Sequence, residues 1–355
     1  MKIAVMGNGI VGKSLVRILD GREDMEVAYI LELPEKCTEK RMVSDLQIIL
    51  NDPEVELVAD ALPSVQPSFS FIKEALNAGK HVVSSNKAAL AYDLRELKEL
   101  ASCRNVKLLF EASCGGTIPC LKEAESLSAS NDITSCYGIM NGTTNFILDR
   151  MGHFGSDFTG ALKEAQELGY AEADPTADIS GFDVKNKIVL LSDTAYHGYV
   201  TKEFPVCGIG KISRQIISDL KEQGKTVKLL GMSVKQGCRY ALGVAPVIIP
   251  LSSMEANVPE NYNLITFCCS NAGELKLYGQ GAGGLPTADA MTRNILSIAE
   301  NSKEIKRFDQ KLEYDPELLC GKGLIGNSYE RGSLEELRKT AESSGEFFAF
   351  IPDFL

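Results

Sequence analysis

The chain has 355 residues, of which 44% are apolar and 24% are charged, and its formal net charge is −11 at pH 7. This length is enough for two domains or for one large α/β body. The negative charge, with no basic stripe to offset it, argues against nucleic acid or an anionic membrane as a partner. Because the sequence has neither a run of about 18 apolar residues nor a leader pattern at its start, we expect a cytoplasmic protein.

Ten cysteines and three histidines are scattered along the chain. No two cysteines form a CxxC pair, and no Cys and His residues have the spacing of a zinc site, so a transition-metal centre is not expected. Several cysteines lie in apolar or β-patterned segments, as Cys136, Cys268 and Cys269 do. We expect these to be small buried hydrophobic side chains rather than disulfide partners.

The N-terminal part of the chain alternates short apolar runs with helical patterns. The predicted strands cover residues 2–7, 26–31, 55–62, 81–84 and 106–111, and the predicted helices cover 11–20, 69–78 and 94–104. This alternation predicts a parallel sheet with helices on both faces. We therefore predict a Rossmann-type doubly wound, dinucleotide-binding domain over residues 1–130, completed by a helix at about 285–302.

The pattern changes after about residue 129. Long helical stretches are predicted at 143–151, 158–168 and 182–197, and strand-like segments at 133–142, 226–234, 239–249 and 263–277. Helices grouped with antiparallel-looking strands predict an α+β domain over 131–284, to which we assign substrate binding, catalysis and dimerisation. The long apolar runs near 226–277 exceed what one flank of a small domain covers, which favours a homodimer. Residues 303–355 are a C-terminal extension of unknown role, whose apolar end, GEFFAFIPDFL, is expected to pack on the body.

Three glycines, Gly7, Gly9 and Gly12, form GxGxxG between the first strand and the first helix. The first glycine allows a tight turn, the second lets a pyrophosphate approach the backbone, and the third lets the helix pack on the strand. The helix N-terminus then presents free N–H groups to phosphate. The alternative is a glycine-rich turn that binds no ligand.

An acidic residue, Glu32, follows the second strand at the spacing expected for a partner of the ribose hydroxyls of NAD. A carboxylate repels a 2′-phosphate, so the sequence favours NAD over NADP. In the competing interpretation Glu32 faces solvent, and Lys36, Lys40 or Arg41 folds back on a phosphate.

Two further features contain residues suited to chemistry. Lys87, in SSNKAAL, follows a strand at the carboxyl edge of the sheet, where ligands of open α/β sheets bind. A lysine there can hold a substrate carboxylate or exchange a proton, and the alternative is an exposed lysine that caps the strand end. The segment EADPTADISGFDVKNK (172–187) contains Asp183 and Lys187 at i and i+4 on one predicted helix face. A lysine beside a buried face can exchange a proton with a substrate, and Glu172, Asp178 and Asp183 together can hold an ammonium group. Spacing alone allows a solvated helix face equally well.

Six blocks in order resemble the homoserine dehydrogenase family over roughly residues 1–302: GNGIVG, SNKAAL, EASCGGTIP, GIMNGTTNFIL, AQELGYAEADPTADISGFDVKNK and GQGAGGLPTA. The resemblance implies reduction of aspartate 4-semialdehyde to homoserine with NADH or NADPH. It also implies that Glu172, Asp178 and Asp183 bind the amino acid, that Lys187 is the proton donor, and that Lys87 is a second lysine where cofactor and substrate meet.

The same resemblance implies two further sets of residues. The residues expected to bind the cofactor are Gly7, Asn8, Gly9, Ile10, Val11, Gly12, Glu32, Lys87 and Gly283. The backbone carbonyls expected to hold a sodium ion are those of Glu111, Cys114, Gly116 and Ile118. Two alternatives stay open: a paralogous dehydrogenase acting on another small amino or hydroxy acid, and a non-catalytic dinucleotide sensor. The tail from about 303 does not match visibly and is shorter than the regulatory domain that relatives often carry.

Overall fold

The structure, a computed structural model, describes residues 1–300 and 312–353 and divides the chain into two compact units. The first unit contains Met1–Pro119 and the segment that starts at Ala282, and the second contains Cys120–Gly281 and the described part of the C-terminal tail. None of the described helices is long and apolar enough to cross a membrane.

The first unit is built on a six-stranded parallel sheet. Its strands are β1 (Lys2–Met6), β2 (Glu26–Leu31), β3 (Met42–Val43), β4 (Val55–Asp60), β5 (His81–Ser84) and β6 (Leu108–Leu109). The helices between them are α1 (Ile10–Asp20), α2 (Leu46–Leu50), α3 (Val65–Asn77), α4 (Lys87–Tyr92) and α5 (Leu94–Arg104). The strand order is β3-β2-β1-β4-β5-β6, so the connections reverse direction between β1 and β4. The predicted doubly wound fold is confirmed, and the reversal marks the crevice where such sheets bind ligands.

The second unit begins with helix α6. Its other helices before the tail are α7 (Gly142–Asp149), α8 (Phe158–Glu167), α9 (Thr176–Ile179), α10 (Phe182–Ala195) and α11 (Arg214–Glu222), and α6 spans Cys120–Ser128. Its strands are β7 (Ile133–Ile139), β8 (Lys225–Gln236), β9 (Arg239–Pro250), β10 (Tyr262–Cys269) and β11 (Gly273–Gln280), in the antiparallel order β11-β10-β7-β8-β9. The segment 263–277, predicted as one strand, is a hairpin of β10 and β11. Because α6 packs on α10, the break between the units lies at 119/120, whereas the sequence placed it near 130.

Helix α12 (Gly284–Ala299) returns the chain to the first unit and packs on α1. A side chain at Gly284 would place its Cβ 2.6 Å from Ile10 Cγ2, so glycine permits the close approach of the two helix starts. The predicted helix at 285–302 corresponds to α12, and the last two residues of that prediction lie outside the described residues.

The C-terminal tail adds strands to the sheet of the second unit. Its elements are β12 (Glu313–Tyr314), β13 (Cys320–Ile325), β14 (Ser328–Ser333), α13 (Leu334–Ser344) and β15 (Phe348–Pro352). β15 pairs with β9, β13 pairs with β15, and β14 lies at the edge. Phe348 and Phe350 are buried, so this apolar segment packs on the body as expected, and residues 354–355 lie outside the described part.

Two glycines show how helices cover both faces of this sheet. A Cβ on Gly231 of β8 would lie 2.8 Å from Val184 of α10, and one on Gly243 of β9 would lie 2.2 Å from Leu334 of α13. Since Gly243 pairs with the residue next to Gly231, the two glycines face opposite sides. The apolar residues of β9 are therefore buried within a single chain, so this strand gives no ground for the predicted homodimer.

A buried lysine, Lys228 of β8, joins α7 to the loop before β10. Its Nζ donates to Asn145 Oδ1 at 2.7 Å and to the Val258 carbonyl at 2.9 Å. Asn145 Nδ2 in turn donates to the Glu260 and Tyr262 carbonyls at 2.8 and 3.2 Å. Burial lowers the pKa of Lys228 to about 8, although the charge of Asp149 acts in the opposite direction.

This lysine should give the protein a distinctive alkaline stability profile. Because the pKa of Lys228 is about 8 in the folded protein against an ordinary 10.5, the unfolded chain binds more protons between these values. The free energy of unfolding should therefore rise with pH across that window, by at most about 1.4 kcal/mol per pH unit. Chemical denaturation of wild type and Lys228→Met from pH 7 to 10 measures the difference, and Lys225→Met controls for loss of a lysine from the same strand. Parallel profiles for wild type and Lys228→Met would contradict the expectation.

Candidate active site

The glycine-rich turn after β1 has the geometry of a phosphate-binding turn. Gly7 has φ 94°, and a Cβ on Gly12 would lie 1.9 Å from the Gly7 carbonyl oxygen, so both positions require glycine. A Cβ on Gly9 would meet no atom within 4 Å. The turn thus closes on itself at its two ends and is open at its centre, where a pyrophosphate approaches in dinucleotide-binding folds.

The start of α1 lies open beside this turn. Gly9 is the N-cap and supplies no side-chain hydrogen bond, and Ile10 is 79% exposed. Val11 is half-buried on the first turn of the helix. Gly283, with φ 124°, caps the start of α12, which lies against Ile10 through the glycine that follows it. Free N–H groups of α1 are therefore available to a phosphate, and the residues present fit a dinucleotide.

Glu32 lies directly after β2 and contacts the same turn. Its carboxylate accepts the Asn8 N–H at 3.2 Å and the Leu33 N–H at 2.9 Å, and the side chain is 15% exposed. Of the basic residues considered for phosphate, Lys36 lies 4.0 Å from the Glu32 carboxylate, and Arg41 forms two hydrogen bonds of 2.9 Å to Asp20. Lys40, the third, is exposed.

Lys87 is the first residue of α4, an element that the strand pattern did not predict. The N-cap is Asn86, whose Oδ1 accepts the Ala89 N–H at 3.0 Å and whose Nδ2 donates to the Ser64 carbonyl at 2.7 Å. Lys87 is half-buried at the carboxyl edge of the sheet.

A buried carboxyl group that sequence reasoning missed, Asp60, joins β4 and β5 at this edge. Its Oδ2 accepts hydroxyl hydrogens from Ser68 and Ser84, each at 2.7 Å. Burial raises the pKa of Asp60, and the hydrogen bonds act in the opposite direction. An aspartate inside a strand pattern gave no signal of this role, since its partners come from separate segments.

The EASCGGTIP loop, residues 111–119, is fixed by α12. The Glu111 N–H donates to Asn294 Oδ1 at 3.0 Å, and Arg293 donates to the Thr117 carbonyl at 2.9 Å. Gly115 and Gly116 have φ of 76° and 58°, which turns the chain sharply there. The carbonyl of Glu111 accepts the Cys114 N–H at 3.2 Å. These hydrogen bonds hold the loop in place against α12.

In the second unit, three predicted residues come together around an asparagine. Lys187 Nζ donates to Asp183 Oδ2 at 2.7 Å and to the Met140 carbonyl at 2.6 Å. Asn141 Nδ2 donates to the same Asp183 oxygen at 2.9 Å and to Asp178 Oδ1 at 2.6 Å. Asp183 and Lys187 are each 6% exposed, so this is not a solvated helix face. Asn141, which sequence reasoning did not single out, caps α7.

The surroundings of Asp178 shift the pKa of its carboxyl group. Burial and the charge of Asp183 raise its pKa, whereas Asn141, Lys187 and Thr143 act in the opposite direction. Thr143 Oγ1 donates to Asp178 Oδ2 at 3.1 Å. A cation bound beside Asp178 would favour the charged form of its carboxyl group. The ammonium group of an amino acid is such a cation.

Three charged residues of the 172–187 segment lie apart from this cluster. The Glu172 side chain is exposed. Asp174 accepts the Thr176 N–H at 3.1 Å and so stabilises the start of α9. Lys185 Nζ lies 5.9 Å and 5.6 Å from the ring centres of Phe182 and Phe204. The structure therefore brings Asp178, Asp183 and Lys187 together and leaves Glu172 at the surface.

A short loop holds the turn between α9 and α10 in place. The Ile209 N–H donates to the Ile179 carbonyl at 2.9 Å, and a Cβ on Gly208 would lie 2.0 Å from that same oxygen. Gly181, with φ 87°, then starts α10. Glycine at position 208 lets the loop lie against the end of α9, the helix that carries Asp178.

The first unit has a parallel sheet with a glycine-rich turn and Glu32, and the second has a buried lysine beside carboxylates. Together these features are those of a nicotinamide-dinucleotide-dependent oxidoreductase. Sequence models of two families match: "Homoserine dehydrogenase, NAD binding domain" over residues 7–111 and "Homoserine dehydrogenase" over 119–296. The chain belongs to the homoserine dehydrogenase family, which confirms the resemblance drawn from its motifs.

Individual relatives agree with this assignment. Homoserine dehydrogenase of Corynebacterium glutamicum is 35% identical over 84% of this chain and 72% of that protein. The enzyme of Mycobacterium bovis is 34% identical over 92% of this chain and 78% of its own length. A crystal structure of a homoserine dehydrogenase from Thiobacillus denitrificans has a TM-score of 0.83 and 29% identity, covering 91% of this chain and 81% of that one. The chain is accordingly an NAD(P)-dependent oxidoreductase acting on a small molecule.

Proposed function

We propose that the chain interconverts L-homoserine and L-aspartate 4-semialdehyde, with Lys187 as the group that exchanges the proton. The observation that carries this is the buried hydrogen bond of 2.7 Å between Lys187 Nζ and Asp183 Oδ2. The buried amine also donates to the Met140 carbonyl at 2.6 Å, and these two bonds fix its position for proton exchange with a substrate oxygen. The same arrangement on an exposed helix would only pair surface charges.

Each residue has a separate task in this proposal. Asp178 accepts the substrate ammonium, and Glu172 closes on it from the exposed segment. Asp183 orients Lys187, which gives its proton to the aldehyde oxygen in reduction and takes the hydroxyl proton in oxidation. Lys87 is the second lysine that acts on the substrate. The bound nicotinamide cofactor supplies or removes the hydride.

The first unit fits the cofactor through its open glycine and free helix start. Gly7, Gly9 and Gly12 hold the pyrophosphate against α1, with Asn8, Ile10, Val11 and Gly283 beside it. We propose NAD as the preferred cofactor, because the Glu32 carboxylate already accepts the Asn8 N–H and lies where a 2′-phosphate would be repelled. The hydrogen bonds between Arg41 and Asp20 support this preference, because they engage an arginine that was considered as a partner for the phosphate.

Replacing Glu32 tests this cofactor preference. Glu32→Ser should weaken NAD binding more than NADP binding, since it removes a ribose partner and a charge that repels phosphate. Dissociation constants of both cofactors, measured by titration calorimetry for wild type and variant, give the preference directly. Glu35→Ser is the matched control, because it removes an exposed acidic side chain three positions further along the chain. An unchanged ratio of the two constants in Glu32→Ser would reject the assignment.

We also propose a sodium ion in the 111–119 loop, bound by the carbonyl oxygens of Glu111, Cys114, Gly116 and Ile118. Hard cations prefer such oxygen ligands. The two positive-φ glycines of the loop and its hydrogen bonds to α12 support a turn that presents several carbonyl oxygens.

A homodimer is proposed on the ground of the sheet edge. β11 is the outermost strand of the sheet in the described residues, and Tyr278 on it is 51% exposed. An eight-residue strand at the edge of a sheet tends to be paired. Light scattering at micromolar concentration should give twice the chain mass, and Tyr278→Lys should lower it; a monomer in wild type would exclude the dimer.

The direct test of the proposed activity is a steady-state assay of the purified protein with L-homoserine, comparing NAD and NADP. We expect turnover with homoserine to exceed that with other small amino and hydroxy acids. Preference for another member of such a substrate panel would favour the paralogue, and cofactor binding without turnover would favour the sensor. The cytoplasmic location expected from the sequence stays a prediction.

A further inference from the structure

One amide group in the second unit serves two carboxylates at once. Asn141 Nδ2 directs one hydrogen to Asp178 Oδ1 at 2.6 Å and the other to Asp183 Oδ2 at 2.9 Å. The two aspartates belong to different helices, α9 and α10, and the amide connects them directly. Asn141 is 4% exposed, and both of its amide hydrogens are used by these carboxylates.

The other half of the amide anchors this arrangement to α7. Asn141 Oδ1 accepts the Thr144 N–H at 2.8 Å and the Thr144 hydroxyl at 2.9 Å. The side chain therefore cannot flip without losing three of these hydrogen bonds, since a flipped amide would face the carboxylates with its oxygen and the Thr144 N–H with its Nδ2. A buried amide held in this way has one orientation.

Two neighbouring carboxylates repel each other, and the groups around Asp178 balance that repulsion. Asp183 and Lys187 of α10 face it with opposite charges, and Asn141 and Thr143 of α7 are its neutral donors. Lys187 donates to Asp183, and the side-chain donors to Asp178 among the described residues are Asn141 and Thr143. A substrate cation would add a positive partner beside Asp178.

We propose that Asn141 is a positioning residue, which holds the Asp178 carboxylate toward the substrate ammonium while leaving Asp183 to orient Lys187. The one amide group thus fixes two carboxylates that have different tasks. This inference rests on the proposed function, because it assumes that an amino acid binds here. It predicts that the loss of the amide donors affects substrate binding more than the proton transfer.

Two variants separate this role from helix capping. Serine and aspartate cap helices about as well as asparagine, so Asn141→Ser and Asn141→Asp keep the acceptor for Thr144 but lack the amide donors. For Asn141→Ser we expect KM for L-homoserine to rise by about 10–100-fold, the usual effect of losing a hydrogen bond to a charged group. The acid limb of kcat/KM should move to higher pH, because the pKa of Asp178 loses an interaction that lowers it. Asn141→Asp, with a third carboxylate, should move it further in the same direction.

The controls distinguish the possible results. Asp157→Ala, which removes the cap of α8, should lower the melting temperature without changing KM or the pH profile. The NAD dissociation constant should stay within about twofold of wild type in both Asn141 variants, since the turn that binds it lies in the other unit. Wild-type KM and acid limb in Asn141→Ser would overturn the inference, and so would failure of both cap-preserving variants to fold. Lack of homoserine turnover in the wild type would instead overturn the proposed function.

Discussion

Lys187→Ala is expected to lower turnover with homoserine by about 10²–10⁴-fold, the usual contribution of a positioned general acid or base. Lys187 is 6% exposed and bonded to Asp183, so no other side chain of α10 can take its place. The NAD dissociation constant should hardly change, because the glycine-rich turn belongs to the first unit. Measuring kcat together with that constant shows whether the loss lies in the chemical step.

The matched control lies two positions earlier on the same helix. Lys185 is packed beside the rings of Phe182 and Phe204, so Lys185→Ala should retain turnover within a few-fold of wild type. Lys187→Arg should not restore activity, because a guanidinium keeps its proton at any working pH. Turnover close to wild type in Lys187→Ala would reject the lysine as the proton donor.

The sequence predicted the buried strands of the first unit best. The bounds of β2 and β5 are as predicted, because a short apolar run between turn residues leaves little choice of where a strand begins and ends. Among the helices that it missed, α2 and α4 have five and six residues and so show little helical periodicity. Helix α6, also missed, begins directly after the glycine-containing loop at 111–119. The sequence also merged β10 and β11 into one strand, since the turn at 270–272 contains no strong breaker beyond its asparagine and the glycine that follows.

The candidate site was predictable where its residues share one helix. The i, i+4 spacing of Asp183 and Lys187 gave their common face, and the structure brings them into a hydrogen bond. Asn141 and Asp60 could not be found in this way, because each acts on partners from other segments. Spacing along one element says nothing about which strand end lies beside which helix. The exposed position of Glu172 escaped prediction for the same reason.

Gly208→Ala should disturb the site without changing any of its chemical groups. The added Cβ would lie 2.0 Å from the Ile179 carbonyl oxygen and 2.7 Å from Ser180 Cα, both backbone atoms that cannot rotate away. Either the loop or the end of α9 has to move, and overpacking of this kind typically costs about 1–3 kcal/mol of stability. Because Asp178 is the residue just before Ile179, its carboxylate would shift relative to Asn141.

The shift should appear mainly in substrate binding. A displacement of about 1 Å in a positioning group can cost as much as 10²-fold in kcat/KM, so we expect a tenfold or greater rise in KM for homoserine. Gly210→Ala is the matched control, since its Cβ would meet only Ile179 Cγ2 at an ordinary 3.7 Å. Kinetics and thermal unfolding of both variants provide the comparison. If Gly208→Ala lost stability but kept the wild-type KM, the turn before α10 would be needed only for folding. Substrate binding by Asp178 would then not depend on the position of that turn.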